Sequence, residues 1–489
     1  MTFVEHHGAR ARSRTASGVG GRGASSTQGE VANSMVQNID VTQIIDRQPV
    51  SRFLLGVIFL CTLVTLADGY NISVIAFAAP GIVKAWHLNR AALGPLFSSS
   101  LVAGLIGPFL FGTLGDRIGR RSSMIAAVLM IGIFGVVSGY CTSLVALVVT
   151  RFIAGIGMSG ALAVTVAAVN EFAPRRLRAT FVTIVFSGTT IGSGLPGLVA
   201  PAILADHGWE SLFFIGGAVP VVLALAVYLF LPETPKFLCL QSKRPVELGR
   251  LLHRLDPRWQ APPEAHYVLT GEATSSASSV GLLFTGKLAL LTPLLWFGAF
   301  VAQLVFHSFN TWLPTLMTDS GVPFARAAHL VVLFQFLGTL GGWVIARPLD
   351  RLGMVPCTVL YVLSIPVIAT LGLPGHTDLM VTALVSMAGI CILGLHFAQG
   401  SGVSSVYPTS VRAFGVGWFM LFARAGGAIG PAVVGVLVGQ HMSMSSLFYW
   451  ATLPLALGTV ASIAVTVLYN TNYHKRDQTP AKFAVGQTT

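Results

Sequence analysis

Long apolar runs separated by short polar connections, many of them basic, fill the chain from about residue 53 to 469. A helix that crosses a bilayer needs about 20 mainly apolar residues. Twelve stretches meet that length: 53–79, 92–114, 122–141, 143–170, 178–201, 211–231, 287–318, 326–346, 355–373, 378–400, 411–438 and 446–469. Backbone polar groups in hydrocarbon must be satisfied within the segment, so these read as helices rather than strands. The expected fold class is therefore an all-α membrane protein. One long polar connection, residues 232–286, divides the spans six and six. Its Pro, Ser and charged content marks a cytoplasmic linker, with a short amphipathic helix around 245–255. Residues 1–52 are polar and carry no apolar core of a cleaved signal, which predicts a flexible cytoplasmic tail. The expected organisation is then a tail (1–52), a six-helix bundle (53–231), the linker (232–286), a second bundle (287–469) and a C-terminal tail (470–489).

Composition agrees with that pattern. Of 489 residues, 53% are hydrophobic and 10% charged, whereas soluble proteins carry about 25% charged residues. The net charge of +12 does not point to nucleic acid, because the bases are dispersed rather than clustered on a soluble domain. Twenty-five of the 30 Lys and Arg lie in tails and loops on one side of the twelve-span path, three in loops on the other, and two within spans. By the positive-inside rule both termini are cytoplasmic. Cys61, Cys141, Cys239, Cys357 and Cys391 are far apart and form no metal-ligand spacing. No metal or cofactor is expected.

The halves repeat. Gly-Asp-Arg-Ile-Gly at 115–119 answers Leu-Asp-Arg-Leu-Gly at 349–353, a shift of 234 positions. The same shift carries Pro174, Arg178 and Ala179 onto Pro408, Arg412 and Ala413, and Gly192 onto Gly426. A parallel duplication of six spans implies two bundles related by an axis along the membrane normal, with a ligand path between them.

At these residues the chain resembles the major facilitator superfamily. The resemblance rests on Gly112-Thr-Leu-Gly-Asp116-Arg117-Ile-Gly-Arg120-Arg121, on Arg151-Phe-Ile-Ala-Gly155-Ile-Gly157 followed by Glu171-Phe-Ala-Pro174, and on Pro232-Glu-Thr-Pro-Lys236. Asp68-Gly-Tyr70-Asn71 in the first span, and Tyr407-Pro-Thr-Ser-Val-Arg412 with Trp418 and Arg424 in the eleventh, are similar to the aromatic acid:proton symporters. That resemblance implies twelve transmembrane helices in two pseudo-symmetric six-helix bundles, rocker-switch alternating access, and benzoate-like or hydroxybenzoate-like substrates. It also implies gating roles for Asp116, Arg117, Arg120, Glu171, Arg178, Asp350, Arg351 and Arg412 at the cytoplasmic helix ends, with Asp116 meeting the N-terminus of span 11 and its positive dipole end. Asn71 stands where the family has a second aspartate, so a proton carried there elsewhere must use Asp68 or another route.

The charges inside the spans carry the chemistry. An Arg or Asp at a helix centre costs about 2.5–3.5 kcal/mol on insertion scales, so each marks a cavity or a partner. At 1.5 Å per residue, Asp68 lies roughly 22 Å from the cytoplasmic edge and Arg151 roughly 12 Å from the outer edge. The two heights are similar, and the resemblance implies that spans 1 and 4 lie together on the cavity side, so an Asp68–Arg151 pair that couples protons is expected. Arg424 has no acidic residue at comparable depth in the second half, which suits a substrate carboxylate gripped bidentately. Asp68 itself, Tyr70, Asn71, Trp418 and Phe306 are further candidates for the substrate, as are the polar side chains His307, Gln335, His396 and Gln399.

The expected activity is import of an aromatic carboxylate with protons across a bacterial inner membrane by a monomer surrounded by lipid. The alternatives are transport of a non-aromatic organic anion such as muconate or a sugar acid, and, more remotely, a transporter-like sensor. No HExxH, GxSxG or P-loop motif supports an enzyme.

Overall fold

The computed structural model describes residues 38–241, 245–259, 266–269, 280–408 and 411–477. Spans 1 to 6 are Arg52–Trp86, the broken pair Leu93–Ala103 and Gly107–Ile118, Arg120–Gly139, Leu144–Phe172, Arg175–His207 and Glu210–Phe230. Spans 7 to 12 are Leu288–Asp319, Phe324–Leu352, Val355–Leu371, Asp378–Val406, Arg412–Gly439 and Met444–Asp477. Eleven of them are long and apolar enough to cross a membrane; span 9 has 17 residues, at the short end of what spans a bilayer. Side-chain caps start several of them. Ser51, Ser143 and Thr377 accept from backbone N–H groups in the first turns of spans 1, 4 and 10, satisfying donors that a helix leaves free.

Span 2 departs from the single helix its hydropathy predicts. The chain tightens at Gly104, Leu105 and Ile106, where Leu105 N–H donates to Val102 and Ile106 N–H to Ala103. Pro108 explains the break. It has no N–H to offer the carbonyl four residues back, and its ring crowds that position. The Gly104 carbonyl is therefore left free.

The duplication is visible in packing. A Cβ placed on Gly192 would lie 2.0 Å from the Leu66 carbonyl oxygen, and one on Gly426 would lie 2.0 Å from the Phe300 carbonyl oxygen. The 234-residue shift that relates the glycines also relates Leu66 to Phe300. Each half thus seats its fifth helix on its first through the same backbone contact.

The two ends of the molecule differ. At the end remote from both termini, a continuous apolar cluster joins the halves, with Phe77, Leu93 and Phe97 from the first and Trp312, Leu313 and Val331 from the second. Phe97 meets Trp312 edge-on with centroids 5.1 Å apart, and Arg90 pairs with Asp319 at 2.5 Å. At the other, Arg-rich end the first half has a separate core of its own.

That separate core corrects the flexible tail expected over 1–52. Residues 1–37 lie outside the described residues, but Asn38–Asp40 pairs in parallel with His266–Val268 of the linker. The following helix, Val41–Arg47, shares a buried cluster with the linker helix Pro245–Leu255 through Val41, Ile45, Leu248 and Leu252. Asp46 accepts from Arg175 N–H at 3.0 Å, and the buried Gln48 amide donates to the Phe172 carbonyl at 2.6 Å. The segment forms a strap over the connection between spans 4 and 5. The last helix also overruns the expected tail boundary at 470, reaching Asp477.

Candidate functional site

Spans 1, 2, 4 and 5 of the first half and spans 7, 10 and 11 of the second enclose a cavity of about 190 Å³. Asp68 and Arg424 face it from opposite halves and interact electrostatically across it. Asp68 is 1% exposed, and its Oδ1 has no hydrogen-bond partner among the described residues. Arg424 Nη1 donates to the Gly104 carbonyl at 2.9 Å, the group that Pro108 leaves free. The other guanidinium nitrogens form no hydrogen bond among the described residues.

The expected Asp68–Arg151 pair is not formed. Arg151 is fully buried away from the cavity lining, donates to the Asn71 carbonyl, and lies over the Phe213 ring at 5.6 Å. Depth along a helix fixes height but not direction, and Asp68 turns to the second half instead. The same rotation corrects two more candidates. Asp68 and Ile72 are four residues apart and share the cavity face, while Tyr70 and Asn71 point away. The Tyr70 hydroxyl donates to the Leu212 carbonyl at 3.2 Å, and the Asn71 amide to the Gly216 carbonyl at 2.7 Å. Both tie span 1 to span 6.

On the second half Phe306, His307 and His396 line the cavity, and Phe306 stacks on His396 with centroids 5.5 Å apart. Gln335, Gln399 and Trp418 do not line it. The Gln335 amide donates to Asn310 at 2.5 Å, and Asn310 in turn to Ser73 of the first half at 3.1 Å. Gln399 donates to the Tyr361 hydroxyl at 3.1 Å within the bundle. Trp418 stacks on Trp296 at 5.8 Å, toward the Arg-rich end. The cavity also holds Gln303, Asn310, Thr189 and Ser193, which sequence reasoning left out of the site. Gln303 precedes His307 by one helical turn, and that spacing was the available signal.

At the Arg-rich end Arg120 pairs with Asp116 at 2.8 Å and with Glu171 at 3.0 Å. Asp116 is 67% exposed and turned to Arg120 at the start of span 3, rather than to the start of span 11. Arg117 and Arg351 are exposed and Arg178 half-buried. Arg412 donates to the Tyr407 carbonyl at 3.2 Å, and the side chain of Asp350 lies outside the described residues. Glu233, from the Pro-Glu-Thr-Pro motif, accepts from the N–H groups of Arg120 at 2.8 Å, Arg121 at 3.2 Å and Thr234 at 3.0 Å. It caps span 3, and burial pushes its carboxyl above the ordinary 4.5 against the pull of those N–H groups.

Two six-helix halves around a charged cavity at mid-depth define a multi-pass membrane transporter, not an enzyme. Residues 59–401 match the model of the Major Facilitator Superfamily. The chain is 32% identical to the 4-hydroxybenzoate transporter PcaK of Pseudomonas putida over 89% of its own length and 97% of that protein. It is 30% identical to the gallate transporter of Pseudomonas putida, over 87% and 95% of the two chains. A solved bacterial homologue of the lysosomal transporter Spinster, inward-facing and unoccupied, has the same fold at a TM-score of 0.63 and 18% identity, covering 89% of this chain and 100% of that one. The chain belongs to the Major Facilitator Superfamily and, within it, to the family of these aromatic acid transporters.

Proposed function

We propose that the protein imports an aromatic carboxylate together with protons across a bacterial inner membrane, by alternating access between its two halves. The observation that carries this reading is the placement of Asp68 and Arg424, from opposite halves, on one cavity. Arg424 binds the substrate carboxylate with the donors that Gly104 does not occupy, a charge-assisted contact worth about twice a neutral one. Phe306 and His396 offer a flat aromatic wall for the ring. Asp68 is the proton-exchanging group. It faces the positive charge of Arg424, so arrival of a carboxylate at that guanidinium changes the electrostatic cost of ionising Asp68. Substrate and proton binding are linked through one arginine.

With the Arg-rich end in the cytoplasm, the Arg90–Asp319 pair and the Phe97–Trp312 contact form the outer seal of an inward-facing arrangement. Arg120, Asp116 and Glu171 form the opposite gate in its released state. Reclosure carries Asp116 toward the positive end of span 11. One charge moving through 100 mV is worth about 2.3 kcal/mol, enough for more than tenfold accumulation per net proton. Relatedness to transporters named for 4-hydroxybenzoate, gallate and benzoate supports the substrate class. The test is uptake of labelled 4-hydroxybenzoate into proteoliposomes under an imposed inward proton gradient. Accumulation that collapses with a protonophore supports symport; uptake indifferent to the gradient removes it, and no uptake of any benzoate removes the aromatic reading.

A further inference from the structure

Buried hydrogen-bonding atoms without a partner are uncommon in folded proteins, and two side chains that line the cavity carry one each. Gln303 Oε1 and His307 Nδ1 are both buried and unpartnered among the described residues. They sit four residues apart on span 7, on one helix face. The other end of the Gln303 amide contacts His396 Nδ1 at 2.6 Å, and either orientation of the amide leaves one of its polar atoms free. His307 is held in place by an absence of side chain opposite it. A Cβ on Gly427 would lie 2.5 Å from His307 Cδ2 and 3.0 Å from Nε2. Gly427 follows Arg424 by three residues, on the same side of span 11 and roughly 4.5 Å further along its axis. The carboxylate clamp and the imidazole therefore border one cavity within about one helical turn, with Phe306 beside them.

We infer that Gln303 and His307, positioned by Gly427, form the subsite that reads a ring hydroxyl of the substrate. This rests on the reading of Arg424 as the carboxylate site. A phenol hydroxyl is at once donor and acceptor. It satisfies an amide oxygen and a ring nitrogen together, which an unsubstituted ring leaves unpaired. A site built to bond a hydroxyl discriminates against the analogue lacking it, because its own polar groups are then stranded. Gly427 is a positioning residue, since any side chain there displaces the imidazole.

The experiment is equilibrium binding of benzoate, 3-hydroxybenzoate and 4-hydroxybenzoate to the purified full-length protein. The wild type is expected to bind at least one hydroxybenzoate roughly 10- to 100-fold more tightly than benzoate, the loss that one or two unmade buried hydrogen bonds produce. Gln303→Leu, His307→Phe and Gly427→Ala should each reduce that ratio toward unity, and Gln303→Leu serves where an imidazole replacement fails to fold. Wild-type affinities that do not distinguish the three acids, or variants that leave the ratio unchanged, overturn the subsite alone. A wild type that binds none of the three overturns the aromatic-carboxylate reading beneath it.

Discussion

Arg424 Nη1 reaches the Gly104 carbonyl at 2.9 Å, joining residues 320 positions apart in opposite halves of the chain. The bond exists because Pro108 cannot supply the helical donor that would otherwise occupy that carbonyl. It anchors one arm of the guanidinium and so fixes the direction of the rest.

Arg424→Ala should therefore abolish measurable 4-hydroxybenzoate binding. Truncating one member of a buried, hydrogen-bonded charge pair costs about 2–5 kcal/mol, a loss of roughly 30-fold to several thousandfold. Arg424→Lys keeps the charge but not the fork, and should recover only part of the affinity. Binding measured by calorimetry on detergent-purified protein distinguishes these outcomes; full affinity in the alanine variant would remove Arg424 from the site.

Asp68→Asn should separate coupling from translocation. Without an ionisable group facing Arg424, proteoliposomes should still exchange internal for external 4-hydroxybenzoate, while accumulation driven by a proton gradient is lost. Gradient-driven accumulation that persists in this variant would place the proton elsewhere.

Much of this arrangement is legible in the residues, and the part that is not has a geometric cause. Hydropathy alone separates the twelve spans, and one constant shift exposes the duplication that Leu66–Gly192 and Phe300–Gly426 repeat in packing. The depth arithmetic also finds the buried charges. It does not say which way they turn. Arg151 lies over Phe213 instead of meeting Asp68, and Tyr70 and Asn71 tie span 1 to span 6, because azimuth around a helix depends on neighbours far away in sequence. The break in span 2 is hidden differently: Gly104 and Pro108 are both plain in the sequence, but they interrupt a run whose hydropathy is continuous. The strap at Asn38–Gln48 escapes for a third reason, since its strand partner is some 228 residues away in the linker.

That strap should contribute to stability. Asp46 satisfies the first free N–H of span 5, and Gln48 meets a carbonyl in the last turn of span 4, contacts worth about 1 kcal/mol each. Asp46→Ala combined with Gln48→Ala should lower the unfolding temperature and speed tryptic cleavage at Arg47. No change in either would show that the strap is not held by these contacts.

Glu233 gives a pH dependence whose sign follows from its burial. Its carboxyl is held above the ordinary 4.5 despite three backbone N–H donors. The folded protein therefore holds its proton more tightly than the unfolded chain does. Its contribution to stability is complete below pH 4.5 and is lost as pH rises through the raised folded value. Glu233→Gln removes this titration. Thermal unfolding of the two proteins from pH 4.5 toward neutrality should show the wild type losing stability relative to the variant. Parallel curves would mean that the three N–H groups already compensate the burial.

The paired glycines test the duplication itself. A methyl group at Gly192 or Gly426 would overlap a carbonyl oxygen on the neighbouring first helix of its half. The backbone must then shift, at a cost of about 1–3 kcal/mol. Gly56 also lies in span 1, but a Cβ there meets nothing within 4 Å, and alanine there should be neutral or stabilising by up to about 1 kcal/mol through helix propensity. Gly192→Ala and Gly426→Ala should lower the unfolding temperature by similar amounts while Gly56→Ala does not. Because spans 5 and 11 both line the cavity, the first two should also weaken substrate binding. Unequal damage from the two would show that the halves share a sequence pattern without sharing its mechanical consequence.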